Sequence, residues 1–374
     1  MRVRGVFFLG VAIFTACSSA KSAPLAETVA PKHVAAGATP ATPATFAPLF
    51  GDASVTGTIS AVYLVAAIDD GIASDQPIYA RADQHVTLHA LVEVDHELYG
   101  DLASARLGKK LIHPSPLAHA PRFAIAWNRI EPAAANYSNT DGGTFHFTLV
   151  DYQATEITDA HETAFAADVR PTLTPDHGHG VGTMRFQAVV TRGDRTIASP
   201  GTEARRGRGS GGLTDAVMRV TIRRDDTYLG YLTEMYGQPY IWASAGLSDS
   251  THEAERLEGS DCADFVVYGA RRTGKKLAYT WTGGLPDITK LLSSGTRGDD
   301  GIYRDAKGNP LPFPKAGDLI LFPRHVGALV EDKGTIGVLD DQDIMVHTLF
   351  DSPKEQPIAD SGYADKPVEL RRFK

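Results

Sequence analysis

With 374 residues the chain exceeds one ordinary domain and suits two, since cores usually split at roughly 100–200 residues per domain. Hydrophobic residues make up 43%, charged residues 22%, and the formal charge is -8. A mildly acidic chain without a long basic run excludes nucleic acid as its main partner.

The chain opens with Arg2 and Arg4, followed by an apolar stretch over residues 6–16 that is too short to span a bilayer. This pattern predicts an export signal. The segment Phe14-Thr15-Ala16-Cys17-Ser18 resembles a bacterial lipoprotein cleavage site, with Phe where Leu is usual. That resemblance implies a signal peptide over residues 1–17, with Cys17 as the lipid attachment point and anchor to a membrane surface. The alternative is cleavage after Ala20 or Ala23, giving a soluble exported protein. Residues 18–48 are rich in Ala, Pro, Thr and Ser, as in Ala38-Thr39-Pro40-Ala41-Thr42-Pro43, and read as a flexible tether.

Residues 49–224 carry the period-two alternation of strands. In His85-Val86-Thr87-Leu88-His89-Ala90-Leu91-Val92-Glu93-Val94 the apolar positions Val86, Leu88, Ala90, Val92 and Val94 share one face. Similar runs at 144–150, 183–191 and 216–223, separated by turn residues, predict an all-β, sandwich-like accessory domain. The segment Arg205-Arg206-Gly207-Arg208-Gly209-Ser210-Gly211-Gly212 reads as an exposed loop. His177-Gly178-His179 lacks a third ligand of metal-site type, so no metal is assigned.

From residue 225 the pattern changes. Tyr228, Leu229, Leu232 and Met235 are spaced for one helix face, a helix is predicted over 262–273 with Gly274 as its stop, and strands over 318–322, 326–330 and 343–349 follow. Helix before strands makes residues 225–374 an α+β domain.

The chain has two cysteines, and the signal region takes one. In an oxidising compartment Cys262 then has no disulfide partner and cannot build a thiolate zinc site. It is either a nucleophile or a small buried hydrophobe. Ser260 or Asp261 caps the helix that begins at Cys262, so backbone N–H groups and the helix dipole face the sulfur and favour the thiolate. A histidine beside it completes an ion pair and later returns the proton to a leaving amine. His325 sits at a Pro323-Arg324 turn between two apolar segments and is the candidate base.

Four segments, Gly237-Gln238-Pro239-Tyr240-Ile241-Trp242, Gly259-Ser260-Asp261-Cys262-Ala263-Asp264-Phe265, Gly317-Asp318-Leu319-Ile320-Leu321-Phe322-Pro323-Arg324-His325-Val326-Gly327 and Met345-Val346-His347-Thr348, together resemble the NlpC/P60 cell-wall cysteine peptidases. The resemblance implies a papain-like α+β fold for residues 225–374, with Cys262 as nucleophile, His325 as base and His347 as the residue that orients it. It implies further that the Tyr240 hydroxyl lies near the nucleophile on the oxyanion or substrate side, while Trp242 reads as packing. Asp261 and Asp264 join Tyr240 as substrate-side candidates. The family usually has Ser-Gly where this chain has Ala263-Asp264, which places a carboxylate in the first helical turn and points to a different specificity. Residues 243–258 are polar and unassigned.

The expected function is an exported hydrolase that cleaves an amide bond in peptidoglycan peptides through a thioacyl-enzyme, without a cofactor, at the membrane-anchored cell envelope. The alternatives are an amidase or acyltransferase of a related cysteine family and a non-catalytic cell-surface binding lipoprotein.

Overall fold

A computed structural model describes residues 48–207 and 209–374. The signal region with Cys17, and residues 18–47 of the tether, lie outside the described residues. Among the described residues no helix is long and apolar enough to cross a membrane.

The first half is built from two sheets that share a core. One has seven strands, centred on Phe123–Pro132, Gly182–Arg192 and Met218–Arg223; the other has eight, centred on Ile59–Ile68 and Val86–Val94. Alternation explains the packing: Leu88, Ala90 and Val92 of one sheet meet Ile125, Trp127, Phe186 and Val220 of the other in one buried cluster. Trp127 is fully buried, and its Nε1 donates to the Glu162 carbonyl at 2.8 Å, which makes its burial affordable. The run at 144–150 departs from its predicted strand. Only Thr144–Phe145 pairs, and Leu149 is 67% exposed while Val150 beside it is buried.

The second half contains a seven-stranded antiparallel sheet, ordered Tyr303–Arg304, Thr289–Arg297, Val368–Phe373, Leu319–Phe322, His325–Glu331, Ile344–His347 and Lys354–Pro357. Its two faces bury different clusters. Leu319, Leu321, Val326, Ala328 and Val346 pack toward helix α2 (Cys262–Arg272), whereas Ile320, Phe322, Leu329, Met345 and Leu370 form a separate core on the other side.

This corrects the expected fold class. The described residues are 41% strand and 11% helix with curled sheets, which does not fit a papain-like α+β domain with a helical part. The helical spacing after residue 225 yields only a five-residue α1 (Tyr228–Leu232) and a 3-10 turn, since Gly237 turns the chain at φ 76° and Pro239 supplies no backbone donor. Helix α3 (Leu285–Ile288) has four residues, so α2, with eleven, is the longest helix described.

The two halves are joined through buried polar groups. Asn136–Ser138 of the first half pairs in parallel with Tyr240–Trp242 of the second. Arg185 donates to Gln238 Oε1 at 3.0 Å and to the Leu257 carbonyl at 2.8 Å, and Asn139 Nδ2 donates to Glu253 Oε2 at 2.8 Å. The segment read as an exposed loop is part of this junction: Arg206 pairs with Glu258 at 2.9 Å, and the buried Ser210 hydroxyl donates to the same carboxylate. A Cβ at Gly212 would lie 2.1 Å from Glu258 Cδ, so only glycine lets the carboxylate approach. Removing Glu258 leaves the buried Ser210 hydroxyl without its acceptor and Arg206 with only its contact to Asp215 at 2.9 Å. Glu258→Ala is therefore expected to destabilise the protein by about 3 kcal/mol in urea unfolding. A change below about 0.5 kcal/mol, typical of an exposed pair, would contradict a buried junction.

Candidate active site

The segment leading to Cys262 is fixed before the helix begins. Ser260 bridges to Tyr240 of the Tyr240–Trp242 strand, and Gly259 between them has φ 146°. A Cβ there would meet Ile241 Cδ1 and the Pro239 carbonyl at 2.6 Å, so glycine permits this close approach. Asp261 is the N-cap of α2, its Oδ1 accepting the amides of Ala263 at 2.9 Å and Asp264 at 3.0 Å. Arg271 and Arg272 occupy the last turn, complementing the dipole at the other end.

Cys262, 5% exposed, forms part of a cleft of about 660 Å³. Tyr240, Trp242, Arg324, Phe350 and Tyr363 line it from the second half, and Asn136–Ser138 closes it from the first. Trp242 is 43% exposed in this cleft and does not pack the core as expected. Tyr240 is buried and stands edge-on to Phe350 at 5.4 Å.

His325 begins the strand that follows the Pro323-Arg324 turn and pairs with Phe322 across it. Proline suits the first turn position, while Arg324 occupies the second at φ 72°, where glycine is usual. His325 Nε2 lies 2.8 Å from His347 Nδ1 on the adjacent region of sheet, and both rings are buried. Tyr363 stacks on His325 at 4.6 Å and 26°. Nothing in the local pattern around Gly362-Tyr363 marks that tyrosine, so sequence reading missed it.

Cys262 and Tyr240 line the cleft, and Arg324 of its wall immediately precedes His325, which pairs with His347. The histidines face away from α2, beside Phe322 and Met345, while their neighbours Val326 and Val346 pack toward the helix. His325 Nδ1 is buried and has no hydrogen-bond partner, as is His347 Nε2. When the shared hydrogen resides on His325 Nε2, Nδ1 carries the lone pair needed to accept a proton.

Asp261 and Asp264 are placed differently from their substrate-side reading. Neither is among the residues lining the cleft. Asp261 is used as the helix cap. Asp264 is buried with its Oδ2 accepting from Ser244 Oγ at 2.6 Å and lying 3.4 Å from His252 Nε2. The polar residues 243–258 pack behind α2: His252, Glu253 and Glu258 are buried, and His252 stacks on Tyr279 at 3.8 Å. His177 is drawn to Asp351 at 3.0 Å, linking the halves, and among the described residues no group of three or more His, Cys, Asp or Glu side chains suits a metal.

Electrostatics favour a neutral site. Burial lowers His325 to about 3, helped by His347, and lowers His347 to about 4. Burial pushes the Cys262 thiol well up, and Asp261 adds to the rise; the Val326 amide opposes it. Burial also raises Asp261 to about 6. The cap that starts the helix therefore works against the thiolate that the dipole favours, and burial favours neutral thiol and neutral imidazole over the expected ion pair. Iodoacetamide labelling of Cys262 is accordingly expected to be slow at neutral pH and to rise only above the ordinary thiol range of about 8.5. A labelling plateau below about pH 7 would instead reveal a preformed ion pair. No family model, curated protein or solved structure matches the chain.

Proposed function

We propose that this chain is an exported cysteine hydrolase that cleaves an amide bond in a peptidoglycan peptide. The observation that carries the proposal is Cys262 at the start of α2 in a cleft walled by the Pro323-Arg324 turn, which leads directly into His325, itself buried, paired with His347 and without a partner at Nδ1. The order of the four segments shared with the NlpC/P60 peptidases supports the substrate class, although the fold is not the one that resemblance implies. A cleft of about 660 Å³ is of the size that holds a small peptide.

In the proposed reaction Cys262 Sγ attacks the amide carbon as its proton passes to His325 Nδ1. The S–C bond forms, the C–N bond breaks, and His325 delivers the proton to the departing nitrogen. Water then cleaves the thioester with the same imidazole as base, restoring the thiol. The Cys262 amide at the start of α2 is the first donor to the oxyanion, and Tyr240 flanks it. His347 accepts from His325 Nε2 and holds the productive tautomer. Transfer concerted with attack avoids a charged pair in a dry resting site. The export signal and Cys17 lipid anchor belong to the same proposal, placing the enzyme against its polymer.

Purified protein and its Cys262→Ala variant, each incubated with peptidoglycan and defined muropeptides, test this by mass analysis. New fragments are expected with the wild type alone, with loss of at least about a thousandfold in rate in the variant. Identical digests would remove the hydrolase reading and leave a non-catalytic binding lipoprotein.

A further inference from the structure

A second groove, about 550 Å³, opens on the other side of the Pro323-Arg324 turn. It shares Pro323 and Arg324 with the cysteine cleft, so the turn borders both. Its wall includes Phe322, the ring stacked on His325 at 6.2 Å and 18°. Trp281 stands at its edge, 70% exposed, with its six-membered ring against Gly283, where a Cβ would meet it at 2.3 Å. The lining is mainly apolar with few free charges. Arg304 is paired with Asp300 at 2.7 Å, Glu369 is paired with Arg371, and Asp305 accepts from Asn309 at 3.1 Å. Arg324 is exposed and, among the described residues, has neither an ion-pair nor a hydrogen-bond partner.

Resting on the hydrolase reading, we propose that this groove holds the leaving-amine half of the substrate and that Arg324 receives a carboxylate carried by that half. The direction follows from the chemistry. The imidazole that takes the thiol proton must hand it to the departing nitrogen, so the leaving half lies on the imidazole side of Cys262. The Pro323-Arg324 turn immediately precedes His325, and the second groove starts there. The left-handed backbone at Arg324, φ 72°, is strained for a side chain bulkier than glycine. What arginine supplies in return is a planar donor fork at the junction of the two grooves, suited to bidentate contact with a carboxylate. The apolar wall from Trp281 to Phe322 covers the aliphatic body of the same amine. Arg324 is thus a specificity-determining residue, and the chain prefers amides whose leaving fragment ends in a free acid.

Two measurements separate this proposal from the hydrolase reading. The first is calorimetric binding of the dipeptide L-Lys-D-Ala and of its C-terminal amide to the Cys262→Ala variant, which needs no turnover. The free acid is expected to bind about tenfold or more tightly than the amide, and the preference to vanish when Arg324→Gln is added. The second is kcat/KM on muropeptide pairs that differ only in acid or amide at the leaving end. Arg324→Gln is expected to lose about tenfold more on the acid than on the amide, with Arg324→Lys recovering part of that difference. Equal affinity for the two dipeptides, binding of neither, or a preference that survives in Arg324→Gln overturns the proposal even if peptidoglycan is cleaved. Acid preference without any turnover sustains the groove and rejects the hydrolase.

Discussion

The buried carboxyl layer behind α2 is the constraint on which the rest of the site depends. Glu253, Glu258 and Asp264 are taken out of water within a dozen residues of chain, and each needs a partner. The partners of Glu253 and Glu258 come largely from the β-sandwich: Asn139 for Glu253, and Arg206 with Ser210 for Glu258. Asp264 is met by Ser244 from the approach to the helix. The segment before Cys262 is held from one side by these groups and from the other by pairing of Tyr240–Trp242 with Asn136–Ser138. The sandwich is therefore structural support for the helix start, and one wall of the cleft, rather than a separate module carried on the chain.

That arrangement bears on the charge state of the Cys262 thiol. A dipole and two amides favour the thiolate, whereas burial and the Asp261 carboxyl oppose it and push the thiol upward. The same burial holds each imidazole in its neutral form, with one N–H. A neutral thiol beside neutral imidazoles costs little to bury, whereas an ion pair there would need partners that neither Nδ1 of His325 nor Nε2 of His347 has. In the proposed reaction, proton transfer is left to the moment of attack, when the substrate carbonyl receives the electrons.

Much of the local structure was legible because it rests on short-range rules. Alternation located Val86–Val94 and Gly182–Arg192, and the Ser260-Asp261 cap before an apolar run located the start of α2. What escaped depends on contacts between distant residues. Asp264 turns away from the cleft because Ser244, twenty positions earlier, offers its hydroxyl. The glycine- and arginine-rich segment is drawn inward by Glu258, and Tyr363 reaches His325 only through the folding of the sheet. The fold class was misread because the helical spacing after residue 225 does not extend past Gly237 and Pro239, leaving strands to build most of the second half.

The neutral imidazole pair is the feature on which the proposed chemistry stands or falls. Nitrogen NMR of His325 and His347 across pH, each assigned with a His→Gln variant, reads it directly. Both rings are expected to stay neutral as pH falls past the ordinary value of 6.5, gaining charge only near 4 or below, with one hydrogen shared between Nε2 of His325 and Nδ1 of His347. A midpoint at or above 6.5 for His325 would contradict this and restore a thiolate–imidazolium pair as the resting state.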